Sequence, residues 1–164
     1  MRNLGRIALL LAVCSTALAH DNGGRGSYRF IEGAWKTTLT FTDCRTGFRV
    51  GGPAEGFITL AADGSVVETG PALNENGYAI ASTRSEGHGR WERENRATFK
   101  ILWGYRLYDE RGISIAEVPH YGTITVTADS KSFVAYGRHQ YTPFQEGQTV
   151  GGTCWKVEGT RLDF

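Results

Sequence analysis

The chain has 164 residues, with 18 basic and 17 acidic side chains, 22 glycines and 12% aromatic residues. That length supports one domain with a real core. The balanced charge excludes the basic footprint that nucleic acid or an acidic lipid surface would require.

Residues 1–19, MRNLGRIALLLAVCSTALA, join a basic start at Arg2 and Arg6 to an apolar run over 7–13 and a small-residue end at Ala17-Leu18-Ala19. This is the layout of a secretory signal peptide. The apolar run is shorter than the roughly 20 residues of a membrane-spanning helix. Cleavage is expected after Ala19, whereas lipid attachment at Cys14 is disfavoured by the bulky Val13 before it. Losing Arg2 and Arg6 takes the basic count from 18 to 16 against 17 acidic groups, a net charge of −1. Export to the periplasm or the medium places the two remaining cysteines, Cys44 and Cys154, where disulfides persist. Residues 20–32 form a polar, Gly-rich leader, and 33–164 the folded domain.

The domain is rich in Gly, Thr and aromatic residues and has no helical stripe. Residues 33–43 alternate Trp35, Leu39 and Phe41 with Lys36, Thr38 and Thr40, which predicts a first strand. A strand over 56–61 turns through Ala62-Asp63-Gly64 into another over 65–69, followed by a Gly/Asn/Pro-rich loop over 70–86. Strands are then expected over 87–93 and 97–109, joined by Glu94-Asn95. In the second of these Phe99, Ile101, Trp103, Tyr105 and Leu107 share one face, a period of two that no helix produces. Residues 113–120 are ambiguous, because Pro119 is unwelcome inside a central strand. Strands over 121–128, 132–142 and 152–162 complete the chain. The expected fold is all-β: a single eight-stranded antiparallel up-and-down barrel, whose closure removes both sheet edges.

Gly33-x-Trp35 on the first strand, with Arg161 in a GTR triplet on the last, resembles the signature of the lipocalin and calycin superfamily. The resemblance implies that Trp35 fills the narrow closed end and that Arg161 stacks on its ring, both in structural roles. The segment RSEGHGRWER, residues 84–93, also resembles a stretch of uncharacterised bacterial secreted proteins of this barrel type. Antiparallel partners keep a nearly constant sum of residue numbers, and the sum for Cys44 with Cys154 lies within two of that for Trp35 with Arg161. One pairing of the first and last strands therefore brings both pairs together, and a Cys44–Cys154 disulfide would staple the barrel's seam.

Function is less legible. Trp91, Phe99, Ile101, Trp103, Tyr105 and His139 are the expected lining of an interior that holds a small apolar or aromatic ligand without catalysis. A filled barrel acting through its surface is the bland alternative. Calycin-like barrels such as allene oxide cyclases keep a cofactor-free cyclase or isomerase open, with Glu92, His139 and barrel tyrosines as acid–base candidates. The chain has no G-x-S-x-G, H-E-x-x-H or phosphate-binding Gly loop, so no catalytic residue is assigned and no cofactor is implied. His20 would become the new N-terminus and offers copper an amine and an imidazole, with His88, His120 and His139 as partners. No tight His spacing supports that site, and no metal is expected.

Overall fold

The computed structural model describes residues 31–71, 83–143 and 153–163. The expected signal peptide, His20, most of the expected leader and the centre of the Gly-rich loop lie outside them. The described strands are β1 (Gly33–Thr42), β2 (Arg49–Leu60), β3 (Ser65–Thr69), β4 (Thr83–Arg84), β5 (Gly87–Arg93), β6 (Thr98–Tyr108), β7 (Ser114–Val126), β8 (Ser132–His139), β9 (Thr142–Pro143) and β10 (Cys154–Arg161). Eight of them pair antiparallel in the ring β1-β2-β3-β5-β6-β7-β8-β10, and β10 returns to β1. The fold is an all-β closed barrel, with β4 and β9 as two-residue additions on β6 and β7. Among the described residues no helix is long and apolar enough to cross a membrane.

Alternation builds the barrel. Phe99, Ile101, Trp103, Tyr105 and Leu107 on β6 are all buried, while Lys100, Leu102 and Arg106 between them face outward. The turns share a device: Asp43, Asp63, Asn95, Asp109 and Asp129 each accept backbone N–H bonds from residues two to four positions on. Bonds from Thr46, Ser65, Ile113 and Thr127 respectively are the first cause holding the four aspartates below the ordinary carboxylate range.

Three expectations need correction. The strand predicted over 56–61 begins at Arg49, because bulges opposite the stretch from Leu39 to Thr42 carry the pairing through Gly51, Gly52 and Pro53 instead of ending it there. Gly52 adopts φ +78° at a point where a Cβ would meet the Leu39 carbonyl oxygen at 2.7 Å, so this crossing tolerates glycine alone. The ambiguous 113–120 and the strand after it are one continuous strand, β7. Pro119 fits because its carbonyl accepts from the Gln140 N–H, so its missing N–H falls on the same side, at the gap where β8 gives way to β9. That gap also divides the strand expected over 132–142.

The seam forms as expected. Trp35 pairs with Arg161 and Thr42 with Cys154, and Cys44 lies just beyond, disulfide-bonded to Cys154 with 4.9 Å between Cα atoms. The closed end is capped there. The guanidinium of Arg161 lies 4.3 Å over the Trp35 ring, donates to the Ser130 carbonyl at 2.8 Å and also donates to that of Glu32. Gly33 has φ +135°, and a Cβ on it would stand 2.7 Å from that guanidinium, which is why glycine opens the Gly-x-Trp motif.

Candidate functional site: the barrel interior

Rings fill most of the interior, and glycines make room for them. At the closed end Trp35 packs edge-on to Phe133 at 5.0 Å, and Trp91 packs edge-on to Phe99 at 5.6 Å. Halfway up, one row of cross-strand partners reads Ile101, Gly122, Gly137, Trp155 and Phe41. The Trp155 indole lies flat over the two glycines: a Cβ on Gly137 would stand 2.3 Å from its ring, and one on Gly122 2.4 Å. The next row reads Gly89, Trp103, His120 and His139.

Across the barrel, from beside that row to the mouth, runs a cavity of about 40 Å³, room for a few water molecules. Ile101, Trp103, Ile124, Phe133 and Val157 supply its apolar walls, with Tyr105 and His120 beside them. Glu55, Gly56, Glu68, Gly70, Pro71 and Arg84 form the mouth, between β2 and β3.

Two polar features define the electrostatics. At the mouth, Arg84 and Glu68 form a bidentate ion pair at 2.7 and 2.8 Å, with side chains only 5% and 14% exposed. Arg84 also donates to the Gly70 carbonyl at 2.9 Å and lies 4.3 Å over the Tyr105 ring. Gly87 permits the approach of Glu68, whose carboxylate would otherwise meet a Cβ at 2.7 Å. Deeper in, His120 is fully buried and stacks on Trp103 at 4.6 Å with 10° between ring planes. Tyr105 and His139 each lie 5.2 Å from its ring centre. Burial first, then the neighbouring His139 and Arg84, holds its pKa well below the ordinary imidazole value, so the ring is neutral. Neither ring nitrogen of His120 has a hydrogen-bond partner among the described residues, and the Trp155 Nε1 has none either.

Of the residues expected to line a ligand site, Ile101, Trp103 and Tyr105 border this cavity. Trp91, Phe99 and His139 are buried but stand outside its walls: Trp91 and Phe99 pack in the closed end, and His139 meets Phe41 edge-on at 5.3 Å. Glu92 faces outward, toward Lys100. Sequence reasoning missed His120 and the Glu68–Arg84 pair as parts of the site. The signal for His120 was available: Ala116, Val118, His120, Gly122, Ile124 and Val126 keep period two straight through Pro119, on the face that also carries Ile124.

No protein-family model matches the chain, and no curated protein matches it. Among solved structures, the chain is similar in fold to EF1p2_mFAP2b bound to DFHBI, at 12% identity and a TM-score of 0.55. The likeness covers 83% of this chain and 97% of that one. It bears out a closed antiparallel β-barrel as the architecture of the whole described domain.

Proposed function

We propose that the protein is an exported barrel of lipocalin-like type that holds a small apolar or aromatic molecule in its interior without transforming it. The observation that carries this reading is the cavity itself: apolar walls beside one buried imidazole that has no partner among the described residues, with a mouth framed by a closed ion pair. A space of 40 Å³ cannot take a whole aromatic ring, so a ligand of that size also occupies the mouth past Gly56 and Gly70. EF1p2_mFAP2b, which is similar in fold, is bound to DFHBI, and that supports ligand binding as a use of this architecture. The Gly33-Trp35-Arg161 cluster at the closed end supports the lipocalin-like assignment, and the disulfide is compatible with export.

Native mass spectrometry of protein purified from an exporting host, beside its denatured mass, tests the reading. The expected result is an N-terminus at His20 and a small adduct that survives native conditions and vanishes on denaturation. A retained leader would overturn export. A bare protein that also binds none of added fluorobenzene, 4-fluorophenol and 4-fluorobenzoate would overturn interior binding.

A further inference from the structure

A buried polar atom left without a partner costs about 1–3 kcal/mol. Among the described residues His120 has two such atoms in one fully buried side chain, and its stack on Trp103 fixes the plane in which they lie. His120 is among the residues that line the cavity, and its ring nitrogens are closed off in this structure, so a ligand reaches them when the side chains beside them shift. What that partner is follows from what the ring offers. A neutral imidazole presents one N–H donor and one nitrogen acceptor, and a hydroxyl group, which both donates and accepts, complements either. A carboxylate only accepts, and it would bring a charge into walls made of Ile101, Ile124, Phe133 and Val157. The adjacent cation, Arg84, is already matched by Glu68 in a bidentate pair. A bare hydrocarbon would fill the space and leave the imidazole nitrogens unpaired.

Resting on the interior-binding reading, we infer that His120 is the polar anchor of the cavity and that its ligands are uncharged, hydroxyl-bearing aromatic molecules of the phenol class. The hydroxyl edge enters the cavity beside His120 and Tyr105, and the ring extends toward the mouth between β2 and β3. His120 thus selects the ligand, while the apolar walls supply most of the affinity.

The test uses three probes at pH 7.5, followed by fluorine NMR titration of the disulfide-bonded protein: 4-fluorophenol, fluorobenzene and 4-fluorobenzoate. The expected order is 4-fluorophenol tightest, fluorobenzene about tenfold weaker, as the loss of one hydrogen bond to a buried partner implies, and 4-fluorobenzoate weakest. In His120→Phe, which keeps a ring against Trp103 and removes both nitrogens, 4-fluorophenol should fall to the level of fluorobenzene. Equal binding of 4-fluorophenol and fluorobenzene by the unaltered protein would overturn the anchor and leave interior binding standing. So would an undiminished preference in His120→Phe, and tighter binding of 4-fluorobenzoate would overturn the ligand class. Binding of none of the three would overturn interior binding itself, and the anchor with it. Should His120→Phe fail to fold, the imidazole nitrogen resonances of the unaltered protein decide the matter. They should shift with 4-fluorophenol and stay in place with fluorobenzene; equal shifts would overturn the anchor.

Discussion

Around Trp35 the indole N–H donates to the Ile31 carbonyl at 3.0 Å, and the Arg161 guanidinium that covers the ring bonds two further carbonyls. Trp91, in the same closed end, donates to the Ala61 carbonyl at 3.0 Å. Around Trp155 and His120, a few rows toward the mouth, rings of similar size are equally buried, yet an indole nitrogen and two imidazole nitrogens have no partner among the described residues. Both regions belong to one apolar interior, but the indole N–H groups of Trp35 and Trp91 have carbonyl partners, whereas that of Trp155 has none among the described residues. The difference separates what holds the barrel together from what it has available for a guest.

The sharpest way to break that comparison is to damage each region and compare the cost. Trp35→Ala removes a fully buried indole together with its bond to Ile31 and its stack under Arg161, and should cost about 3–5 kcal/mol in urea unfolding. A loss under about 1 kcal/mol would show that the closed end is not where stability resides. Replacing Cys44 and Cys154 with serine opens a link across 110 residues and should cost about 2–5 kcal/mol, read from the guanidinium midpoint. Because the link ties the seam and touches none of the cavity walls, 4-fluorophenol should still bind the double variant.

Acid separates the two regions differently. The depressed pKa of His120 means that the unfolded chain takes up a proton near pH 6.5 and the folded chain does not. Stability is therefore full above pH 6.5 and falls as the pH drops below it, until the folded pKa is reached. The limiting slope is about 1.4 kcal/mol per pH unit. His120→Phe should lose this slope, whereas a slope that persists in the variant would assign it to another group. The smallest expected effect is that of His120→Phe at pH 7.5. Exchanging an unpaired buried polar ring for an apolar one of like shape should leave stability within about 1 kcal/mol of the parent, or raise it. A loss beyond about 2 kcal/mol would place His120 with the self-sufficient region, as a structural ring.

Legibility in the sequence divides along the same line. The strands, the seam and the closed end were readable because they rest on local alternation and on one antiparallel register, and Trp35, Phe41, Phe99 and Trp103 announce both. The cavity was not, because its walls come from strands far apart in sequence and its size depends on which glycines face which rings. Gly122 and Gly137 fall inside strands that the sequence predicts, but nothing there says that the Trp155 indole lies across them. His120 was obscured by Pro119, whose usual meaning as a strand breaker gives way here to a local gap in pairing. The Glu68–Arg84 pair joins β3 to β4, a two-residue strand inside what the sequence presents as loop.

The seam has a further consequence in time. β1 finds β2 at once, but its other edge waits for β10, more than a hundred residues later. At ordinary synthesis rates that wait lasts on the order of ten seconds, during which Trp35, Leu39 and Phe41 border an open ladder of backbone donors and acceptors. Two chains caught at that stage can trade final strands, each β10 completing its neighbour's β1, and oxidation of the cysteines would then lock the exchange as a covalent dimer. The bond that seals one barrel is thus also the bond that would make a strand-swapped pair permanent.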